Sequence, residues 1–572
     1  MTESEKVMTY DLLVKNGRII DGSGMPSFFG DVAVKDGKIV ELGKLSGPAS
    51  RIIDADGLVI APGFVDNHCH YDAQVTWDPL CTFSCYHGAT TVITGNCSLS
   101  LAPARPDAQA RLAEFLSYVE AIPMDVLNTV DFNWETFPQY MDSLEGRLGV
   151  NVGTLVGHTA VRHYVMGDEC QGRAATEDEI GQMRGVVRDA LAAGALGLSV
   201  SRNRGHFDPQ GVLIPAIWAD EEEIFALGDV LRDMGTGTIQ CGGGAVAERG
   251  TRMMSRLSQA TGRQVVYNNL GQTIRKPTEW KELMAIVDET AKAGIRANPL
   301  CTPNSITQLF TLRNCQVFRG VPTWHPILLA SDEEKMRAYS DPEVRRKLQA
   351  EAVDRHGDLK DPNFASTWYE YMEVEHPALE KNKGLTGKTI GEIAREQKKS
   401  IIDAFLDLAV EENLETTFLY GENNVDKEAM NQILNYPNAF IGLSDGGAHV
   451  QFHGGYGYST RLLGYWVRER QIMPLEKAVR RLTFDSASAF GIYDRGMLRP
   501  GMAADITIFD AETVRPLPED RVEDFPNGGW RMRELAEGIK CTIVNGEVLL
   551  EDGKHTGALP GRIMRNALYQ AN

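Results

Sequence analysis

No run of about 18 consecutive apolar residues occurs anywhere in this 572-residue chain, so nothing in it reads as a membrane-spanning helix. The opening stretch, MTESEKVMTYDLLVKNG, lacks the apolar centre of a secretory signal, and a cytoplasmic protein is expected. Positive charge is in deficit. The 58 basic and 78 acidic residues leave a formal charge of −20, which repels polyphosphates and anionic lipid at long range. Neither a nucleic-acid nor a membrane partner is therefore expected, whereas a small-molecule substrate in its own pocket, or a homo-oligomer, is compatible with that balance. Cysteine is sparse and irregular: nine residues with no CxxC pair, which indicates neither a disulfide framework nor a zinc ribbon. Cys81 and Cys85, in CTFSCYHG, read as packing residues. Histidine is missing from one long stretch: after His206 the next is His325.

What is present is a globular composition, 43% hydrophobic and 24% charged. Residues 9–60 alternate in short strands punctuated by NG and DG, the texture of hairpins, and ADITIFDAE and KCTIVNGEVLLEDGK repeat it near the other end. Either piece alone would leave strand edges unpaired, so one β-sandwich domain built from both ends (1–62 and 491–572) is expected. Between them, helices alternate with short apolar runs at 59–67, 90–96, 150–157, 195–201, 237–243, 264–270, 295–300 and 439–444. Eight such strands in an α/β pattern predict a (β/α)₈ TIM barrel over 63–490. Thr176 and Glu179 form a capping box ahead of an apolar stripe that ends at Gly194. Asp220 and Glu223 open the next helix in a looser version of it, and further helices are read at about 280–293, 389–413 and 474–490. Residues 101–148 are long for a crossover and 302–388 much longer; the second is expected to form a lid over the catalytic face.

The strongest chemical signal is APGFVDNHCHYDAQ. His68 and His70 stand two apart at the end of the first barrel strand, where alternation turns both imidazoles the same way and Cys69 toward the wall. An HxH pair in that place is suited to one cation at the barrel mouth.

The N-terminal hairpins followed by APGFVDNHCH resemble the opening of the amidohydrolase superfamily, and LTFDSASAFGIYDRGMLRPGMAADITIFD resembles that superfamily's return to its β domain. More narrowly, TGNCSLSLAP, LVGHTAVRHYVMG, GALGLSVSR and GLSDGGAH are similar to segments of the N-acyl-D-amino-acid deacylase (D-aminoacylase) branch. The resemblance implies a metal-binding aspartate at Asp445 that also takes a proton from the attacking water, as a carboxylate kept ionised beside a cation can. It implies a metal-binding thiolate at Cys97, a ligand suited to zinc. The superfamily's histidines at the ends of strands five and six have no counterpart here, where the strands read TIQCGGG and VYNNLGQ. Cys241 is a candidate replacement on strand five, and Asn268 or Asn269 a candidate to face the cavity on strand six. A single Zn²⁺ held by His68, His70 and Asp445 is therefore expected, with Cys97 as a further ligand. Candidates for touching substrate are His158 after strand three, Arg202 and Arg204 after strand four, and His449 and His453 beyond Asp445.

The implied activity is hydrolysis of an amide C–N bond, with an N-acyl-D-amino acid as the leading substrate class. A cyclic amide, lactone or ester would use the same electrophile activation, and a non-catalytic binding protein on a decayed barrel is the alternative of a different kind.

Overall fold

Eight parallel strands follow one another around a curled sheet: Phe64–Asp66, Ala89–Thr94, Asn151–Gly157, Gly197–Ser201, Thr238–Gly242, Val265–Tyr267, Ala297–Cys301 and Phe440–Ile441. Each overlaps one of the eight expected segments. The structure, a computed structural model, describes residues 9–243, 248–274, 276–313, 315, 317–318, 320–353 and 369–570. Side chains turned inward, Val65, Ile93, Leu155, Leu196, Val266 and Leu300, plug the barrel below the strand ends. Those turned outward, among them Leu198, Val200, Ile239, Cys241 and Tyr267, pack against the helices. Full burial of each such aliphatic side chain contributes roughly 1.5–3 kcal/mol, and these layers hold the strand ends in fixed register.

Strands eight and one meet without a regular ladder. The seam is closed by Asn67, whose Nδ2 donates to the Ile441 carbonyl at 3.0 Å and whose Oδ1 accepts the Leu443 N–H at 3.3 Å. A side chain at Gly442 would begin 1.8 Å from Asn67 Oδ1, so this position must be bare for the barrel to close. The Asp445 N–H donates to the His68 carbonyl and the His70 N–H to that of Gly446. Asp445 is thereby brought back to the histidines some 375 residues earlier in the chain.

The two ends of the chain share one nine-stranded mixed sheet, in which Val59–Pro62 pairs antiparallel with Ile506–Phe509 and parallel with Tyr10–Ile19. The expected strand 59–67 is thus two strands, one in each sheet, divided at Gly63. Two parts of the C-terminal region leave that sheet. Ile563–Met564 pairs with barrel strand three. Residues 515–537 fold into two short ribbons, Arg515–Pro516 with Ala536–Glu537 and Asp520–Val522 with Arg531–Arg533.

The capping box is formed as expected: Thr176 Oγ1 accepts the Glu179 N–H, the Glu179 carboxylate accepts the Thr176 N–H, and the helix runs Glu177–Ala192. The long insertion extends beyond its expected end. Ile306–Phe310, Glu373–His376 and Thr417–Asn423 form an antiparallel sheet, and the segment read as a barrel helix at 389–413 is two helices, Ile390–Gln397 and Ile401–Glu411, packed on it. A separate aromatic core (Phe310, Phe318, Trp324, Tyr369, Phe405, Phe418) holds this unit together, with Trp324 Nε1 donating to Tyr369 Oη at 2.8 Å. Its apolar helix stripe is indistinguishable by periodicity from that of a barrel helix; only the packing partner separates them. Residues 354–368 of the expected lid lie outside the described residues.

Candidate metal centre

His68 and His70 follow strand one with ring centroids 5.3 Å apart, both buried. Cys97 follows strand two, and its Sγ lies 3.6 Å from His68 Nε2. One ligand atom from each of His68, His70 and Cys97 lies within 4.8 Å of the others. Asp445 Oδ1 completes the group, 3.6 Å from His68 Nε2 and 3.3 Å from His70 Nε2. Backbone strain concentrates here: Cys97, Ser98, Leu443 and Asp445 have φ of 54°, 68°, 63° and 57°. A left-handed conformation costs a non-glycine residue on the order of 1 kcal/mol, so the surrounding hydrogen bonds must hold it. Gln240 Oε1 accepts the Cys97 N–H at 3.0 Å, and Ser199 Oγ accepts the Ser98 N–H at 2.7 Å.

Glu120 was not anticipated. It ends the helix Gln109–Glu120 within the 101–148 stretch, on the same apolar face as Leu112, Leu116 and Val119. Its side chain is buried with Oε1 3.4 Å from His70 Nδ1, and its carbonyl accepts the His449 N–H. A lone acid continuing an apolar helical stripe was the available signal, though nothing local names its partner.

The electrostatics fit a cation. Burial, then the neighbouring His70, lowers His68 to about 3, which keeps it a neutral imidazole. Burial opposes protonation of His70 too, yet Glu120, Asp445 and Cys97 around it raise it well above the ordinary histidine value. Burial would raise Asp445, but the hydrogen bond from His70 and the imidazoles of His70, His68 and His449 hold it far below the usual carboxylate range. The pocket thus concentrates negative charge in a dry place, and His68 Nδ1 has no hydrogen-bond partner. Two imidazoles, a thiol and a carboxylate form a donor set suited to zinc.

His158 is engaged elsewhere: its Nε2 meets Glu223 at 2.6 Å in the helix layer, where Glu223 also pairs with Arg162, while its buried Nδ1 has no hydrogen-bond partner. Arg202 follows the outward-facing Val200 in the strand alternation and donates from Nη1 to the Ala219 carbonyl at 2.7 Å. Cys241 is likewise outward and buried in the hydrophobic layer; the inward residue of strand five is Gln240. Asn268 does turn inward, its Oδ1 accepting from Gln240 Nε2 at 2.8 Å. His449 lies beside Glu120, with Nε2 3.9 Å from its carboxylate. Arg204 is exposed. A cavity of about 330 Å³ adjoins the group, lined by Asp445, His453, Arg461, Glu519, Glu534 and, from the start of the insertion, Thr302, Asn304, Ser305, Ile306 and Thr307.

An eight-stranded parallel barrel joined to a sheet from both chain ends, with a His-Cys-Asp cluster at the strand ends, defines the architecture of a barrel metallohydrolase. Residues 51–550 match the Amidohydrolase family, and the chain belongs to that family. It is 30% identical to a D-aminoacylase of Alcaligenes xylosoxydans xylosoxydans over 99% of both chains. It is 28% identical to an N-acyl-D-aspartate deacylase of the same organism, over 97% of this chain and 95% of that one. A solved D-aminoacylase superposes with a TM-score of 0.66 at 27% identity, covering 97% of this chain and all of the other. A further D-aminoacylase structure, 28% identical with a TM-score of 0.65 over 97% of this chain and all of the other, concerns a binuclear metal centre with one-metal activation and second-metal attenuation.

Proposed function

We propose that this protein hydrolyses the amide bond of an N-acyl-D-amino acid, with one zinc ion held by His68, His70, Cys97 and Asp445. The observation that carries the reading is the convergence of those four side chains at one end of the barrel. When bound, such a cation would polarise a carbonyl and acidify water. Asp445, kept ionised by the surrounding imidazoles, accepts the proton of the attacking water and delivers it to the departing nitrogen. Glu120 Oε1, 3.4 Å from His70 Nδ1, sets its negative charge behind that ring. The one-metal count is supported by strands five and six, where Gln240 and Asn268 bond to each other inside the barrel in place of imidazoles. It also accords with the one-metal activation described for the related D-aminoacylase.

For the substrate carboxylate, the cation in the cavity is Arg461, whose Nε makes no hydrogen bond. Burial, then the nearby Glu519, pushes Glu534 up to about 8, so at neutral pH Glu534 is largely protonated and adds little to the negative charge of Glu519 in the same cavity. The test is a hydrolysis screen over N-acyl-D- and N-acyl-L-amino acids and cyclic amides, with and without chelator. Chelator-sensitive turnover of the D-series supports the reading. Chelator-insensitive activity, or turnover confined to cyclic amides, overturns it.

A further inference from the structure

Strands four to six use their inward positions on a single task at the thiol of Cys97. Gln240 Oε1 accepts two donors, the Cys97 N–H at 3.0 Å and Ser199 Oγ–H at 2.9 Å, while Gln240 Nε2 donates to Asn268 Oδ1 at 2.8 Å. Ser199 Oγ in turn accepts the Ser98 N–H at 2.7 Å. Gln240 and Ser199 are directly opposite each other across the parallel ladder, which fixes their approach. Both side chains are fully buried. The two consecutive N–H groups they hold belong to the two left-handed residues that turn Cys97 inward. Strand five also backs the thiol with bare main chain: a side chain on Gly242 would begin 2.7 Å from Cys97 Sγ.

We infer that Gln240 is a positioning residue for the metal-binding thiol: its amide, braced by Ser199 and Asn268, holds the Cys97 turn so that Sγ faces His68 and His70. The inference rests on Cys97 being a ligand, as proposed above. Without the Gln240 acceptor, the Cys97 N–H and the Ser199 hydroxyl lose their partner in a dry interior. The cheapest repair is rotation of the turn out of its left-handed conformation, which carries Sγ away from the imidazoles. A glutamine on this strand thus does for one metal ligand what a second set of ligands would do for a second metal: it fills the inward positions with groups of fixed purpose.

The test loads metal-free protein with Co²⁺ and reads the thiolate-to-cobalt charge-transfer absorption in the near ultraviolet, with zinc affinity measured by chelator competition. The Cys97→Ser variant sets the baseline without a thiolate. Gln240→Met, similar in length but without an acceptor, is expected to keep its fold, lose most of the band and bind zinc about 10–100-fold more weakly, the usual effect of removing a partner behind a ligand. Gln240→Glu restores the acceptor but gives up the donation to Asn268, and is expected to recover part of both signals. Ser199→Ala, a gentler change, is expected to give a partial loss and serves if Gln240→Met does not fold. An undiminished band and affinity in Gln240→Met, or equal impairment of Gln240→Glu and Gln240→Met, overturns the inference. A band that survives Cys97→Ser overturns the ligand assignment itself, and the role of Gln240 with it.

Discussion

Replacing Glu120 by glutamine tests whether a carboxylate from a crossover helix governs the metal centre. Glu120 Oε1 lies 3.4 Å from His70 Nδ1, and its side chain is only 4% exposed. At that separation, and at an effective dielectric of about 20, a full ion pair attracts by about 5 kcal/mol, most of which is offset by the desolvation of both groups. With His70 bound to a cation through Nε2, the charge of the glutamate behind Nδ1 makes the ring a stronger donor. Loss of such a partner weakens metal binding by about 10–100-fold, or roughly 1.4–2.7 kcal/mol. Glu120→Gln keeps shape and an acceptor, so the lower end of that range is expected, and Glu120→Ala should reach the upper end. Zinc affinity by competition with a chromophoric chelator measures both, and thermal unfolding of the metal-free protein tells metal loss from misfolding. A glutamine variant with unchanged affinity would refute the argument. So would an alanine variant whose zinc loss merely tracks its unfolding.

His68→Ala and His70→Ala are expected to lose bound zinc and activity together, whereas Asp445→Asn should lose turnover with a smaller loss of metal; full zinc occupancy in either histidine variant, by elemental analysis, places the ligands elsewhere. Active protein is expected to contain one zinc per chain, and a requirement for two in turnover assays contradicts the single-metal reading. Arg461→Gln should raise KM with little change in kcat, and Arg202→Ala should change neither; the reverse pattern would return the carboxylate to Arg202. Glu223 is raised by burial but brought down to about 2 overall by His158 and Arg162. A depressed carboxylate stabilises the fold fully above its unfolded value and loses that contribution as pH falls, here from 4.5 toward about 2. Glu223→Gln should therefore cost about 3 kcal/mol at neutral pH, by stranding Arg162, and nearly nothing near pH 2. Acid and neutral denaturant titrations that give equal differences would contradict this.

The sequence by itself determined whatever depends on neighbours along the chain. His68 and His70 stand two apart just past the end of strand one and turn toward one group, as the alternation expected of the strand implied. The eight short apolar runs, the Thr176 capping box and the β texture at both ends are local patterns as well, and each is found where the pattern lies. Tertiary structure decided everything that depends on which face a strand presents and which distant element meets it. Strand five offers Gln240 and Cys241 side by side, and chemistry alone favours the thiol as a ligand. The pleat sends Cys241 into the helix layer and Gln240 to the Cys97 turn, because Ser199 and Gln240 share a rung of the ladder. His158 and Arg202 follow strand ends where residues of either orientation are polar, and the structure pairs them with Glu223 and the Ala219 carbonyl. Glu120 becomes a partner of His70 only because a 12-residue helix ends against the barrel mouth. A seam side chain at Asn67 returns Asp445 to the histidines. Contacts across 50 to 375 residues leave no periodic trace in a single sequence, since the entropy of closing such loops is met by the packed core as a whole and not by any local motif.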